Sequence, residues 1–156
     1  MTMGVHGAPG APGAAGVEST PLQRLRWLLS DVLVTTPGMR SLALVSTDGL
    51  PLVAADEHTP DEELATLAAG LTALSGGMST LLDLGGLRRT VVTLHEGTLV
   101  LMSVDDTTCL AAYTSAGCDL SLAGYQLARL VERAGHVLTT QVRRELRGQP
   151  GQETTR

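Results

Sequence analysis

The chain contains no lysine, phenylalanine, isoleucine or asparagine, and only one tryptophan and two tyrosines. With every basic residue an arginine and a net charge of −5, no broad cationic surface is available to neutralise phosphates, and three aromatic rings are too few for base stacking; nucleic acid is excluded as a partner. Two cysteines, Cys109 and Cys118, do not form a CxxC pair, so neither a zinc site nor a disulfide framework is expected, and both read as small hydrophobes. His6, His58, His95 and His136 are scattered, with no HxxxH and no carboxylate cluster at ligand spacing. No cofactor loop is present either: Walker A, GxGxxG and GxSxG patterns are all missing, and Gly76-Gly77 and Gly85-Gly86 lack the Lys-Ser/Thr of a phosphate cradle. The missing residue types are those with AT-rich codons, the mark of a GC-rich genome rather than of a fold.

No run approaches the roughly 20 uninterrupted apolar residues of a membrane span, and the N-terminus lacks a signal-peptide layout. The expectation is a cytoplasmic protein without membrane insertion. What is present is ample aliphatic material: 43% of the 156 residues are hydrophobic, enough for one domain with a real core. Residues 1–18 form a Gly/Ala/Pro leader too short for a collagen helix and are expected to be disordered; residues 148–156 read as a disordered tail, and 19–147 as the folded domain.

Within the domain, Thr20-Pro21-Leu22-Gln23 has the form of a capping box, and Leu22, Leu25, Leu29, Val32 and Leu33 continue it as an amphipathic helix until Thr36-Pro37-Gly38. Asp48-Gly49 between two apolar runs predicts a hairpin with a type I′ turn and strands over 41–46 and 50–54. Pro51 puts the second strand at a sheet edge. Thr59-Pro60-Asp61-Glu62 repeats the capping-box grammar for a second helix, with acidic residues where the helix dipole favours them. Its residues Leu64, Leu67, Leu71, Leu74, Met78 and Leu81 step by three and four, and Ala65, Ala68, Ala69, Ala73 and Gly76 run alongside. That pattern permits a helix packed only on its own sheet or one that also meets a neighbouring helix along a heptad seam. From Arg89 onward three apolar runs, separated by His95-Glu96-Gly97 and Asp105-Asp106, predict a meander, with Gly85-Gly86 terminating the helix before it. A single last helix is expected from Asp119 to Leu146, with Arg129, Glu132, Arg133 and Arg143 outward. The order is α-β-β-α-β-β-β-α, an α/β (α+β) fold with a five-stranded antiparallel sheet between helices.

Asp105-Asp106 reads as an exposed turn rather than a catalytic pair, and no nucleophile, metal or carboxylate constellation describes an enzyme. The hairpin "LVSTDGLPLVA", the capped second helix and the meander "VVTLHEGTLVLMSV" together resemble the Roadblock/dynein light-chain domain family over about residues 20–146. The resemblance implies a Roadblock/profilin-like sandwich and a homodimer in which the first meander strand pairs with its copy and the second helices meet. Leu71, Leu74, Met78, Thr90, Val91, Val92, Thr93 and Leu94 are then the dimer-interface residues. It further implies a platform for a Ras-like small GTPase, with Asp61, Glu62, Thr66 and Thr72 as partner-binding residues and neither catalytic groups nor a cofactor. The absence of lysine and the short biased ends are similar to actinobacterial members found in conservon units beside a Ras-like GTPase and a sensor-kinase-like protein. Two alternatives remain open at this level: a GTPase-activating protein, for which Arg88-Arg89 would supply the finger, and a small-ligand-sensing module.

Overall fold

The computed structural model describes residues 20–154; the leader assigned to 1–18 lies outside the described residues. Thr20 begins the first helix as expected. Its hydroxyl accepts from the Gln23 amide at 3.1 Å, and the Gln23 side-chain carbonyl accepts from the Thr20 amide at 3.1 Å. With both orphan donors satisfied and Pro21 pre-set for the first turn, α1 runs Pro21–Thr35 and buries Leu25, Leu28, Leu29 and Val32.

Strands β1 (Met39–Ser46) and β2 (Pro51–Ala54) form the first hairpin. Its turn differs from the expected type I′: Gly49 has φ +96°, while Asp48 stays out of the left-handed region. Side chains close a wider turn instead. The Ser46 hydroxyl donates to the Asp48 carboxylate and accepts from the Leu50 amide at 2.8 Å. That hydroxyl and, after it, Arg147 hold the Asp48 carboxyl below the usual carboxylate range.

Helix α2 (Asp61–Leu82) also starts differently from the sequence pattern. Pro60 stands at its N-cap without a side-chain bond, because Thr59 is engaged upstream: its hydroxyl and amide both donate to Asp56 Oδ1 at 3.0 Å, as does the His58 amide. A carboxylate acceptor three residues away outcompetes the capping box for that hydroxyl. Asp61, Glu62 and Glu63 still occupy the first turn, where the helix dipole favours negative charge. The helix stops at Asp83, which takes φ 55°, ahead of the glycines expected to end it.

The meander is β3 (Arg89–Leu94), β4 (Gly97–Ser103) and β5 (Thr108–Ser115), and the sheet order is β2-β1-β5-β4-β3 with every neighbour antiparallel. The edges are therefore the Pro51 strand and β3, as expected. Asp119 caps α3 (Leu120–Val137) by accepting from the Ser121 and Leu122 amides at 3.0 and 3.2 Å.

The single last helix of the sequence reading is instead two. Thr139 Oγ1 accepts from the Val142 amide at 3.2 Å and starts α4 (Thr140–Thr154), which continues past the residue-147 limit set for the domain. The break lets Leu138, Val142 and Leu146 turn into the core together. It also draws Arg143 inward, against expectation, to an ion pair with Asp105 at 2.8 Å, while Arg147 reaches Asp48 at 2.6 Å.

The sheet is covered unequally. On one face α1, α3 and α4 supply a dense aliphatic cluster centred on Leu25, Leu29, Leu127 and Leu130, each of whose burial is worth roughly 1.5–3 kcal/mol. On the other face α2 contributes Leu64, Ala65 and Ala68 to a smaller cluster with Ala43, Val45, Leu101, Cys109 and Ala111. Alanines on both sides bring α2 close to the sheet at its N-terminal end. Beyond Ala68 its side chains are no longer fully buried.

Candidate interaction surface

The heptad seam read from the sequence separates into two rows. Leu64 and Leu71 face the sheet, whereas Leu67, Leu74, Met78 and Leu81 are exposed, Leu67 to 59% and Leu74 to 72%. Between the exposed leucines lie Thr66, Gly70, Ala73 and Gly77, spaced four, three and four, so they share one helical face. A Cβ built on Gly70 or Gly77 would meet nothing within 4 Å. Of the small residues that the sequence suggested for a close backbone approach (Ala65, Ala68, Ala69, Ala73 and Gly76), Ala65 and Ala68 are used against the protein's own sheet, whereas Ala73 lies in the outward row. Gly70 and Gly77 join Ala73 there and were not named from the sequence, because glycine inside a helix reads as a packing defect.

Strand β3 continues this surface. Its pairing with β4 places Thr90 opposite Leu101 and Val92 opposite Leu99, which puts Thr90, Val92 and Leu94 on the α2 side of the sheet and Arg89, Val91 and Thr93 on the other. Ser103 N–H donates to Arg88 C=O within the same pairing register. Hydrogen-bonded pairs alternate in an antiparallel ladder, so the amides of Thr90, Val92 and Leu94 point toward β4 and those of Arg89, Val91 and Thr93 point out of the sheet. That open row is a template for another strand. Leu94 and Val91 are exposed beside it. Tyr113, opposite Leu99 on β5, adds an exposed ring to the α2 side; a Cβ on Gly97 would stand 2.9 Å from this ring and 2.3 Å from Thr114 O, which explains the glycine.

A groove of about 620 Å³ separates the second half of α2 from β3, with Ser75, Met78, Leu82, Leu84, Arg88 and Thr90 among its walls. The interface residues named from the sequence thus divide as follows. Leu74, Met78, Val91, Thr93 and Leu94 are exposed on this surface or its edge, Thr90 and Val92 are half-buried under α2, and Leu71 packs on the sheet.

The four residues assigned to partner binding from the sequence do not form one patch. Asp61 and Glu62 line a polar cleft of about 450 Å³ beside β2, together with Arg26 and Asp56. Thr66 is exposed on the outward face of α2. Thr72 is half-buried on the Cys109 side of the helix: two positions before Leu74, a helix has turned back toward the sheet. Cys109 itself is deeply buried, and burial pushes its thiol up to about 11. The thiol is inert packing at neutral pH.

Chemistry is sparse. Among the described residues no group of three His, Cys, Asp or Glu side chains lies where it could hold a metal. Arg88 and Arg89 are both exposed at the start of β3, but Arg89 reaches toward α3, its guanidinium 3.7 Å from where a Gly124 Cβ would stand. Both arginines also border the α2 groove. By length and composition α2 is apolar enough to cross a membrane, with mean hydropathy 1.3 over its best window, a property that interrupted apolar runs concealed in the sequence.

Among curated proteins none matches this chain. Solved structures do. A Roadblock/LC7 domain from Streptomyces avermitilis is 32% identical, covers 69% of this chain and 92% of its own, and superposes with a TM-score of 0.65. The gliding protein MglB of Thermus thermophilus (21% identity, 76% and 91% coverage, TM-score 0.68) and Myxococcus xanthus MglB (16%, 73% and 94%, 0.67) share the fold. The Roadblock/LC7 domain family model matches residues 25–114, from the buried side of α1 through the end of β5. A five-stranded antiparallel sheet between helices is the fold this sequence shares with these structures, and, with the family model spanning more than half of its residues, the chain belongs to the Roadblock/LC7 domain family.

Proposed function

We propose that the protein is a non-catalytic homodimeric platform that binds and regulates a bacterial Ras-like small GTPase in the cytoplasm. The observation that carries this reading is the continuity of the open β3 edge with the outward row of α2. Outward amides at Arg89, Val91 and Thr93 supply strand pairing about a two-fold axis, and Leu67, Leu74, Met78 and Leu81 supply the apolar area that a paired α2 would cover. Gly70, Ala73 and Gly77 let the two helices approach closely.

The GTPase rests on family membership, and the surface supports it in one respect. Two α2 helices joined along their leucine row leave Thr66 and its flanking positions as a shared face at the axis, suited to one partner per dimer. Asp61 and Glu62 would steer a basic patch on that partner from the margin of this face. A sensor-kinase-like protein of the same conservon unit is a further expected member of the complex.

The test is binding of the neighbouring GTPase, loaded with GTP or GDP, to the wild type and to Thr66→Arg, followed by hydrolysis with Arg88→Ala. Binding that Thr66→Arg weakens, with any hydrolysis rate unchanged by Arg88→Ala, is the expected result. If neither nucleotide state binds, the platform reading fails. If Arg88→Ala abolishes accelerated hydrolysis while binding persists, the protein is a GTPase-activating protein with an arginine finger.

A further inference from the structure

The opposite face of the sheet carries a second surface that dimerisation through β3 and α2 leaves uncovered. We propose that the groove between α1 and α3 docks an acidic amphipathic helix of a partner protein. The groove has a volume of about 650 Å³, and its walls include Arg24, Trp27, Leu28, Arg133, His136 and Val137. Trp27 is the chain's single tryptophan, yet it is 61% exposed, and Val34 one heptad later is exposed as well. Leaving an indole in water forfeits one of the largest burial gains available to a side chain, and tryptophan is the residue most enriched at binding hot spots.

Charge identifies the occupant. The protein is acidic overall, but the groove presents Arg24, Arg133 and His136 with no carboxylate among its lining residues. Neither arginine has an ion-pair partner among the described residues. Along α3, Tyr125, Arg129, Arg133 and His136 follow at spacings of four, four and three on one face. The Arg129 guanidinium lies 5.8 Å from the centre of the exposed Tyr125 ring, extending the basic and aromatic strip by about 12 Å. An apolar floor with cationic banks fits a helix with leucine-type residues on one face and carboxylates on its flanks.

Geometry favours a helix over an extended strand. Residues early in α1 share the groove with residues late in α3, while at the other end Gly38, just after α1, approaches Cys118, just before α3. The two helices are therefore antiparallel, and the trough between them, opening at the start of α1 and the end of α3, is what a third helix fills in ridge-and-groove packing.

Trp27 is its own reporter. The full-length protein is titrated with a synthetic Leu/Glu amphipathic helix of about 16 residues and with a Leu/Lys peptide of identical leucine placement, at low and high salt. The Leu/Glu peptide is expected to shift Trp27 emission to the blue, to bind about tenfold more weakly at high salt, and to lose binding with Arg24→Glu/Arg133→Glu, while the Leu/Lys peptide leaves the spectrum unchanged. Far-UV circular dichroism of the double variant must match the wild type, and Arg24→Lys/Arg133→Lys must retain binding. Equal binding of both peptides, no binding of either, or normal binding by the Glu variant overturns the proposal. So do two further results: an emission already typical of a buried indole in the free protein, which assigns the groove to the protein's own chain, and a fall in particle mass by light scattering on Trp27→Ala, which assigns it to a second copy.

Discussion

The hydroxyls of Thr90 and Ser75 meet at 3.0 Å, tying the middle of α2 to the start of the edge strand. This contact fixes the rotation of the helix: with Ser75 turned to β3, Leu74 is turned away from it, into solvent. Val91→Pro removes an outward-pointing amide while leaving the β3–β4 ladder intact, and Leu74→Glu places a charge in the exposed row. Each substitution is expected to convert a dimer to a monomer in light scattering at micromolar concentration, with melting temperature lowered chiefly through the lost association. Val92→Pro, by contrast, cuts a bond within the chain and should destabilise the fold itself.

Asp56 is the keystone of the turn before α2, accepting from the His58 amide and from both the amide and hydroxyl of Thr59. Asp56→Ala is expected to cost about 1–3 kcal/mol in urea denaturation, more than the ~1 kcal/mol of Thr20→Ala at the helix cap. Asp56→Asn keeps the acceptor oxygen and should retain most of the stability. A smaller effect from Asp56→Ala than from Thr20→Ala would mean that α2 is set by its own acidic first turn.

Much of this architecture was legible locally. The Thr20 capping box, the edge position announced by Pro51, and the three-strand meander each follow from residues within one or two turns of one another. The start of α2 was misread because Asp56 lies three residues upstream of the pattern being matched. The rotation of α2 was not legible at all. Leu64 and Leu71 are chemically the same as Leu67 and Leu74, and only the tertiary position of Ala65 and Ala68 against Ala43 and Ala111 decides which row is buried. The half-buried position of Thr72 was not legible for that reason, and the parity of the β3 amides depends on a register that no single strand encodes.

Alkaline pH should loosen the α2 side of the sheet. Burial raises the Cys109 thiol from 9.0 to about 11, opposed in part by the nearby Thr72 hydroxyl. The fold thus favours the neutral thiol: the contribution is complete below about pH 9, where the unfolded thiol is also neutral, and is lost as pH rises through about 11. The resulting loss is at most about 3 kcal/mol. Burial also raises the Cys118 thiol, so comparison with Cys109→Ala isolates the contribution of this site. Melting temperature should fall between pH 9 and 11 and fall less in Cys109→Ala; parallel curves for the two proteins would rule out this thiol as the cause.

Although α2 is long and apolar enough to span a bilayer, Leu64, Ala65 and Ala68 hold its first turns to the sheet, and Thr66, Ser79 and Thr80 carry hydroxyls along it. In flotation with phosphatidylcholine/phosphatidylglycerol vesicles, the protein should stay in the dense fraction, as should Leu74→Glu. Wild-type protein that floats while Leu74→Glu sinks would hand the exposed row to lipid and remove the main support for dimerisation through it.

Trp27, Tyr113 and Tyr125 are the only aromatic residues of the chain, and all three stand at the surface. The interior is therefore optically mute. Near-ultraviolet spectra register what settles on the protein's outside, and a melt followed by indole emission traces the neighbourhood of one helix instead of the collapse of a core. Unfolding of this molecule has to be observed through its backbone or its heat, which leaves its absorbance and fluorescence free as nearly pure readouts of company.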